Sequence, residues 1–335
     1  MAGTAGTNDP VCWGILSTAN IGVKLVIPAI QTSQNGRVAA IASRDLAAAE
    51  RLVAAQAPGA RAYGSYEELL ADPDIEAVYI PLPNALHAEW TIRAARAGKH
   101  VLCEKPLGAT PEESIAMRDA CRDAGVLLLE AFMYRFHPQI RWALEQAASG
   151  AIGRVRIVRS AFAFDLSDRG ENIRLSASLA GGSLMDVGCY PLNFCRAVFG
   201  GAPQVVAARV DVPAESEVER TMAAVLDFGE GRFGVIDSSF ALAWHQFAEI
   251  VGDEGRILLP RPFTPGTNET VVRLERDNES IERRFAEANH YRLEVEHFAE
   301  CVRSGAPLAI APEDAIEQAQ VIEAIYAAAG YQRPW

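Results

Sequence analysis

Residues 11–22 read VCWGILSTANIG, an apolar stretch that runs directly into a turn of small residues. The stretch 11–17 predicts a buried β-strand, and Gly22 stands where a helix would begin. The turn matches the dinucleotide-binding fingerprint G-x-G-x-x-G in position, with Ser17 and Ala19 replacing its first two glycines. Both side chains are small enough for the backbone to approach a pyrophosphate, so the turn predicts nucleotide binding. A tight strand-to-helix turn without a ligand is the alternative. The cofactor contacts assigned to the turn are Ser17, Thr18, Ala19, Asn20 and Ile21.

Short apolar runs alternate with helical patterns as far as residue 131, which is typical of βαβ units. Predicted strands cover residues 11–17, 38–43, 77–80, 100–104 and 126–130. Predicted helices cover residues 47–57, 84–97 and 111–124. Residues 1–131 are therefore predicted to form an α/β Rossmann domain with a doubly wound parallel sheet.

The pattern changes after Arg135, and a predicted helix leads into segments of alternating polarity. The helix covers residues 138–148, and the clearest strands cover 155–164, 205–212, 221–227 and 231–239. Alternation indicates strands with one buried face, so residues 132–335 are predicted to form an α+β domain with a large, open-faced, mostly antiparallel sheet. Amphipathic helices are predicted at 291–302 and 312–329. We expect the last helix, about 312–330, to pack back toward the Rossmann domain.

The composition excludes several classes of protein. A chain of 335 residues that is half apolar fits a globular protein of two domains. Its net charge of −12 disfavours nucleic acids and anionic membranes as partners. No apolar run approaches the ~20 residues of a membrane span, and MAGTAGTNDP lacks the pattern of a signal peptide, so we expect a cytoplasmic protein. The six cysteines lack CxxC spacing and are expected to be structural thiols, with no metal site.

The strand at 38–43 ends in Ser43 and Arg44, about twenty residues after the turn. Enzymes that use NAD place an acidic residue here against the ribose 2′-hydroxyl. A guanidinium can instead bind a 2′-phosphate with two hydrogen bonds, and a serine can donate another. The pair therefore favours NADP over NAD. The alternative is a solvated Arg44, with Asp45 capping the next helix.

Glu104 and Lys105 follow the strand at 100–104, at the edge of the sheet where open α/β folds bind ligands. Pro106 stiffens this turn and would fix the direction of the lysine. A surface ion pair is the alternative reading.

Residues 181–193 read GGSLMDVGCYPLN and place Asp186 and Tyr190 four positions apart, on one face of a helical turn. Gly181 and Gly182 allow close backbone approach. The polar groups lie among apolar residues, which predicts the wall of a partly dry site. An ordinary helix start, with Asp186 near its positive end, is the alternative.

These motifs together resemble the glucose-fructose oxidoreductase / inositol dehydrogenase / MocA family. The resemblance covers nearly the whole chain. It depends on the order and spacing of residues 17–22, 104–106 and 182–190, together with PNALH at 83–87. The segment EAFMYRFHP at 130–138 is similar to the NADP-linked xylose and dihydrodiol dehydrogenases.

The resemblance implies catalytic roles for Lys105 and Asp186, since the matching lysine and aspartate of the family flank the nicotinamide. Tyr190 stands where a histidine is commoner. Tyrosine there is similar to the branch with D-xylose 1-dehydrogenases, dimeric dihydrodiol dehydrogenases and glucose-fructose oxidoreductase. A nearby ammonium stabilises a phenolate, so Lys105 would let Tyr190 act as the acid/base group while hydride moves between substrate and nicotinamide. Asp186 would orient Lys105 or a substrate hydroxyl.

The remaining site residues come from three segments. Asn84 and His87 are expected to contact the nicotinamide ribose or to hold their loop, with helix capping the alternative for Asn84. His137 either reaches substrate or is a buried core histidine. The polar loop 165–179, which includes Asp168 and Arg169, is a candidate for substrate specificity. Further cofactor contacts are assigned to Pro81, Leu82, Glu104 and Lys105, and substrate contacts to Arg135, Asn172, Arg174 and Asn193.

The expected activity is hydride transfer between NADP and a sugar or polyol, in the first place oxidation of an aldose of the D-xylose or D-glucose type to a lactone. The alternatives are a keto-sugar or 1,5-anhydrofructose reductase, a trans-dihydrodiol dehydrogenase and a glucose-fructose oxidoreductase-like enzyme. A non-catalytic NADP-binding regulator is an alternative of another class, against which Lys105, Asp186 and Tyr190 argue. The resemblance also implies a homodimer or higher homo-oligomer, formed through the sheet of the second domain.

Overall fold

The computed structural model describes residues 9–166 and 172–335, which form two compact units. The first contains the chain up to Gly108 with Glu112–Met133 and Asn289–Ala315. The second contains Ala109–Pro111, Tyr134–Ala288 and Ile316–Trp335. Asp168 and Arg169 of the predicted specificity loop lie outside the described residues.

A six-stranded parallel sheet forms the centre of the first unit. Its strands are β1 (Val11–Leu16), β2 (Gly36–Ala42), β3 (Arg61–Tyr63), β4 (Ala77–Ile80), β5 (His100–Cys103) and β6 (Leu128–Glu130). Their order is β3-β2-β1-β4-β5-β6, and every neighbouring pair is parallel. This is the Rossmann order, in which the direction of winding reverses between β1 and β4. The predicted Rossmann sheet is confirmed, although β3 was not identified from the sequence.

Helices connect these strands. A π-helical turn, Gly22–Val26, leads into the first helix. The helices are α1 (Ile27–Thr32), α2 (Leu46–Gln56), α3 (Tyr66–Ala71), α4 (His87–Arg96) and α5 (Pro111–Ala124). The short α3 is a further element that the sequence did not indicate.

An eight-stranded sheet forms the centre of the second unit. Its strands are β7 (Val155–Ala163), β8 (Gln204–Asp211), β9 (Thr221–Asp227), β10 (Phe233–Ser239), β11 (His245–Gly252), β12 (Gly255–Leu259), β13 (Thr270–Arg276) and β14 (Glu279–Phe285). The order is β14-β13-β12-β11-β7-β10-β9-β8. Of its neighbouring pairs, β7 with β10 is parallel and the others are antiparallel. The prediction of a mostly antiparallel sheet is confirmed.

One face of this sheet is open along β8 and β10. Val206, Phe233 and Val235 are exposed, whereas Ala208 and Ile236 on the same strands are buried. Among the described residues, the remaining α-helices are α6 (Pro138–Ala148), α7 (Cys189–Phe199), α8 (His290–Ser304) and α9 (Pro312–Ala328).

The helix α8 belongs to the first unit, together with the rest of Asn289–Ala315, whereas the predicted second domain includes this segment. Arg303 binds both carboxylate oxygens of Glu76 at 2.6 and 2.7 Å. The ring of Phe298 packs against Trp13 of β1 at 5.4 Å between centroids. These contacts join residues more than two hundred positions apart in the chain, so no local pattern could predict them. That the last helix packs back toward the Rossmann domain stays a prediction.

The backbone at Ser17, directly after β1, has an unusual angle. Its φ is 134°, a value that residues other than glycine rarely adopt. The Ser17 Oγ accepts a hydrogen bond from the Ala19 N–H at 2.9 Å, which stabilises the turn locally. Serine therefore occupies a glycine-like conformation at the first position of the fingerprint.

This conformation predicts different stabilities for two substitutions that both remove the hydroxyl. Ser17→Gly removes the strained Cβ, whereas Ser17→Ala keeps it, so in urea unfolding we expect the Ser17→Gly variant to be more stable than the Ser17→Ala variant by about 1 kcal/mol or more. Ala54→Gly on the exposed side of α2 is the control, where glycine should cost about 1 kcal/mol. A Ser17→Ala variant as stable as Ser17→Gly would contradict the strain.

Candidate functional site

The turn after β1 lies at the carboxyl end of the first sheet. Residues 17–21 are half-buried or exposed, and Val23 N–H donates to the Ala19 carbonyl at 3.0 Å as the helical backbone begins. Gly22 is buried, and a Cβ there would lie 3.6 Å from Pro81 and Tyr79 of the neighbouring β4 chain segment. A methyl group at this position would thus be in ordinary van der Waals contact, so the packing of the helix on the sheet does not by itself require glycine here.

Ser43 and Arg44 follow β2 beside this turn. Ser43 is nearly buried, and its Oγ accepts from the Asp45 N–H at 3.2 Å. Arg44 is exposed and forms no ion pair with any residue in 9–166 or 172–335. Asp45 occupies the N-cap position of α2 without a side-chain capping bond and pairs with Arg51 at 3.6 Å. The Asp45 carboxylate therefore does not cap α2.

Tyr66 of α3 brings the two motifs together. Burial raises the pKa of its phenol, while the charge of Arg44 and a hydrogen bond with Ser17 act in the opposite direction. Ser17 and Arg44 therefore face one phenol from two different strand ends. Tyr66 could not be identified from the sequence, since neither it nor the short α3 stands out from its neighbours.

His87 is fully buried between two backbone carbonyls. Its Nδ1 lies 2.9 Å from the Pro106 oxygen and its Nε2 lies 2.8 Å from the Leu82 oxygen. Burial lowers the pKa of the imidazole, so the neutral ring with a single N–H is the favoured form. A neutral ring donates to only one of these two carbonyls, although both lie close to it. Of the two predicted roles, this buried position between two loop carbonyls supports holding the loop. Asn84 opens the short 3₁₀ turn Asn84–Leu86, whose N-cap is Pro83.

Glu104 and Lys105 follow β5 at the same edge of the sheet. The Tyr79 hydroxyl donates to Glu104 Oε1 at 2.6 Å, and Glu104 N–H donates to the Ile80 carbonyl at 3.1 Å. Both partners are on β4, so the glutamate is anchored within the sheet. The peptide bond between Lys105 and Pro106 is cis. Buried Glu294 of α8 faces Glu104, and burial with this negative neighbour raises the pKa of Glu294 well above its ordinary value.

In the second unit, Asp186 is held by an arginine. Arg174 Nε donates to Asp186 Oδ2 at 2.6 Å, and the carboxylate is mostly buried. Asn172 Oδ1 accepts from the Arg174 N–H at 3.1 Å and caps the short turn Ile173–Leu175. The sequence predicted Asp186 as catalytic and Arg174 and Asn172 as substrate contacts, and the structure brings all three together.

Gly181 and Gly182 approach other parts of the same unit closely. A Cβ on Gly181 would lie 2.4 Å from the Arg174 carbonyl oxygen, and one on Gly182 would lie 2.4 Å from Glu219 Oε2. Gly182 also has a φ of 120°. The predicted close approach is therefore present, and the approaching groups are the protein's own backbone and the Glu219 carboxyl.

Tyr190 lies in an aromatic cluster. Its side chain is nearly buried, with ring centroids 5.5 Å from Phe162 and Phe263 and 5.9 Å from Tyr134. Asp186 lies in a π-helical turn, Leu184–Gly188, and Tyr190 lies at the start of α7. The sequence predicted one regular helical turn across both residues, but a change of helix type separates them.

Asn193 and Arg135 are also joined. Buried Asn193 Oδ1 accepts from the Tyr134 hydroxyl at 2.6 Å and from Arg135 Nη1 at 3.2 Å. His137, two residues on, is fully buried and caps α6, because its Nδ1 accepts from the Gln139 N–H at 3.2 Å. The structure therefore supports the core reading of His137.

Within the described ranges, no helix has both the length and the apolar character needed to cross a membrane. The same ranges contain no cluster of three or more His, Cys, Asp or Glu residues that could hold a metal ion. The six cysteines are free thiols, and burial raises the pKa of Cys121 to about 12.

Comparison with known proteins finds a family match for each of the two domains predicted from the sequence. Residues 12–132 match the oxidoreductase family model with an NAD-binding Rossmann fold, and residues 140–258 match the GFO/IDH/MocA C-terminal domain. D-xylose 1-dehydrogenase (NADP(+)) 2 of Haloferax volcanii is 44% identical over 318 residues, which cover 95% of this chain and 97% of the relative.

Two solved structures resemble the whole chain. The 3-ketoreductase KijD10 of Actinomadura kijaniata, in complex with NADP and TDP-benzene, has a TM-score of 0.89 at 31% identity, covering 96% of this chain and 98% of that one. The aldose-aldose oxidoreductase of Caulobacter crescentus, complexed with glycerol, has a TM-score of 0.89 at 28% identity, with the same coverage of 96% and 98%. By its two domain matches and its identity to full-length relatives, this chain belongs to the Gfo/Idh/MocA family of oxidoreductases.

Proposed function

We propose that this protein is an NADP-dependent dehydrogenase that oxidises the C1 hydroxyl of an aldose, of the D-xylose or D-glucose type, to a lactone. The observation that carries the proposal is the 44% identity, over nearly the full length, to an enzyme named D-xylose 1-dehydrogenase (NADP(+)) 2. Lys105, Asp186 and Tyr190, the groups that the reaction needs, are all present in this chain.

The residues of the first unit fit NADP. Arg44 offers an exposed guanidinium without an ion-pair partner among the described residues, and it shares the neighbour Tyr66 with Ser17 of the phosphate-binding turn. A 2′-phosphate is the ligand group that such a guanidinium would bind with two hydrogen bonds. Ser17 to Ile21 would hold the pyrophosphate, while Pro81, Leu82 and Asn84 would line the nicotinamide ribose.

When bound, the oxidised nicotinamide supplies the acceptor for the hydride that leaves C1. We assign the removal of the C1 hydroxyl proton to Tyr190, so that the C1–H electron pair leaves while the C1=O bond forms. Lys105 stabilises the negative charge on the oxygen that loses its proton. Asp186, oriented by Arg174, accepts a hydrogen bond from a substrate hydroxyl. Arg135 and Asn193, joined to each other, are the remaining candidates for binding the sugar.

A second candidate is reduction of a keto sugar, since the same groups serve the reverse direction. The likeness to the 3-ketoreductase KijD10 favours it. The other candidate substrates are trans-dihydrodiols, 1,5-anhydrofructose and, for a glucose-fructose oxidoreductase-like reaction, a pair of sugars of which one is oxidised and the other reduced. We further propose that the chain works as a homodimer formed through the open face of the eight-stranded sheet, where Val206 and Val235 are exposed. The cytoplasmic location stays a prediction from the sequence.

The substrate and cofactor are tested together by following the absorbance of reduced cofactor with a panel of aldoses, polyols and trans-dihydrodiols. We expect D-xylose or D-glucose with NADP⁺ to give the highest kcat/KM. Arg44→Ala should raise the KM for NADP⁺ at least about tenfold and leave that for NAD⁺ unchanged, because a charged hydrogen-bonded pair contributes about 1.5–3 kcal/mol. Arg51→Ala, which removes another exposed arginine, from α2, should change neither value. A wild-type protein that uses both cofactors equally well would disprove the role of Arg44.

The acid/base assignment is tested with Tyr190→Phe and Lys105→Met. We expect each substitution to lower kcat at least about 10²-fold, the contribution of general acid–base catalysis. NADPH binding, measured by fluorescence, should stay within a few-fold for Tyr190→Phe and serves as the control for folding. Turnover within tenfold of the parent would remove the residue from the catalytic step.

The assembly is tested by light scattering coupled to size-exclusion chromatography. Val206→Asp with Val235→Asp places two charges on the open face and should convert a dimer to a monomer, because burying unpaired carboxylates is costly. Glu215→Gln, a surface change outside the sheet strands, is the control. A parent protein that elutes with the mass of one chain would refute the proposed dimer.

A further inference from the structure

Glu219 is a buried acidic residue to which the proposed reaction assigns no role. It lies just before β9, and its side chain is fully buried. Most glutamates are exposed, and a buried one requires partners for its oxygens. Its partners therefore indicate what it does.

The carboxyl of Glu219 is bonded to the start of the segment that carries Asp186 and Tyr190. Oε1 accepts from the Leu184 N–H at 2.9 Å, and the Glu219 backbone carbonyl accepts from the Ser183 N–H at 3.1 Å. The first N–H groups of a helix have no partner within the helix. Glu219 thus supplies acceptors for two consecutive N–H groups at the start of the π-helical turn, those of the N-cap Ser183 and of its first residue, Leu184.

Two further contacts fix the carboxyl itself. The Tyr326 hydroxyl of α9 donates to the same Oε1 at 3.0 Å. Oε2 lies over Gly182, where a Cβ would come within 2.4 Å of it. Any side chain at position 182 would therefore displace the carboxyl or the segment. Gly182 in turn donates to the Arg174 carbonyl at 2.8 Å, and Arg174 holds Asp186.

The surroundings of Glu219 make its ionisation sensitive to pH near neutrality. Burial raises the pKa of Glu219 to about 7, although the bonds from Leu184, Tyr326 and Ser183 oppose the increase. The titratable groups that face it are the phenols of Tyr326 and Tyr331, and Arg333 faces Tyr326. None of these supplies a direct ion pair to Glu219 within the described residues.

We infer that Glu219 is a positioning residue: from behind Gly182 its carboxyl holds the Leu184 N–H and so sets the position of the segment that carries Asp186 and Tyr190. The inference rests on the proposed function for the role of those two residues. Glu219 itself does not contact the reacting groups. Its effect on turnover is transmitted through the backbone of residues 183–186.

Ionisation changes the strength of this contact. A carboxylate is a stronger acceptor than a protonated carboxyl group. As the pH rises through about 7, the Leu184 N–H is therefore held more strongly. The folded-state pKa lies above that of an unfolded glutamate, so global stability falls as the pH rises from 4.5 to about 7, because in this range Glu219 ionises in the unfolded chain while it stays protonated in the folded protein. Tightening of the segment and loss of global stability thus have opposite signs, and they can be measured separately.

The experiment measures hydrogen exchange of the peptide covering 183–190 in the cofactor-free protein, so it does not depend on finding the substrate. Glu219→Gln keeps an acceptor oxygen and removes the ionisation, whereas Glu219→Ala removes both. We expect Glu219→Ala to exchange about tenfold faster than wild type, and Glu219→Gln to stay within about threefold. Glu215→Gln, an exposed neighbour on the same loop, is the matched control and should change nothing. If Glu219→Ala fails to fold, Glu219→Asp replaces it, because the shorter side chain cannot reach the Leu184 N–H.

A pH series separates positioning from a merely structural contribution. After correction for the intrinsic rate, wild-type exchange at 183–190 should slow as the pH passes about 7. This step should be absent in Glu219→Gln. It should move to higher pH in Tyr326→Phe, because the Tyr326 hydroxyl bond opposes the raised pKa of Glu219. With a substrate in hand, Glu219→Ala should lower kcat about tenfold at unchanged KM for NADP⁺, and Glu219→Gln should restore it.

The inference is overturned if Glu219→Ala exchanges like wild type, if Glu219→Gln is as defective as Glu219→Ala, or if the pH step persists in Glu219→Gln. A protein that passes the exchange tests but turns over no sugar refutes the proposed function and leaves the Leu184 contact standing. A protein that turns over sugar with unaltered kcat in Glu219→Ala refutes the positioning role alone.

Discussion

The parallel direction of the six strands in the first unit is the constraint on which its chemistry depends. Because all the strands run the same way, their carboxyl ends lie at one edge of the sheet. Ser17, Ser43, Pro81 and Glu104 each directly follow one of the four central strands. Residues up to about ninety positions apart in the chain therefore meet at one edge. His87 strengthens this arrangement, since its ring bridges the loops that follow β4 and β5.

The second unit holds a carboxylate and a phenol close together in sequence, in the π-helical turn before α7 and at the start of α7. The backbone around Gly181 and Gly182 is so closely surrounded that no side chain fits on either residue. Arg174 fixes Asp186 from one side, and aromatic rings surround Tyr190. Because Asp186 is held by an ion pair and Tyr190 is enclosed by rings, both side chains lose little conformational freedom when a ligand binds. Groups that are held in place in this way favour a reaction that requires a precise geometry.

The sequence predicted the parallel sheet well because its strands are short apolar runs separated by helical patterns. The helix 111–124 and the strand 221–227 were predicted with their observed bounds. By contrast, β14 has the sequence ESIERRF, is largely exposed, and so lacks the alternation that marks a half-buried strand. The assignment of α8 to the first unit depends on Phe298 meeting Trp13, a contact that no local pattern encodes.

The site was predictable where a motif fixes the residue, and not where burial alone does. Lys105, Asp186 and Tyr190 stand in recognisable turns, and their catalytic roles remain proposals. Glu219 lies in the run AESEVER beside Glu215 and Glu217, which are exposed, so composition could not distinguish the one that turns inward. Tyr66 could not be identified from the sequence either, because Ser17 and Arg44 follow two different strands and face Tyr66 only in the folded protein.

The exposure of Arg44 has a consequence for the conditions under which the protein works. A guanidinium surrounded by water attracts a phosphate through a medium that dissolved ions screen, within about 8 Å at physiological ionic strength. A buried cation would be screened far less. On the proposed role of Arg44 in binding the 2′-phosphate, the preference for a phosphorylated over an unphosphorylated adenosine ribose would therefore decrease as salt is added, so cofactor choice would depend on ionic strength as well as on the sequence.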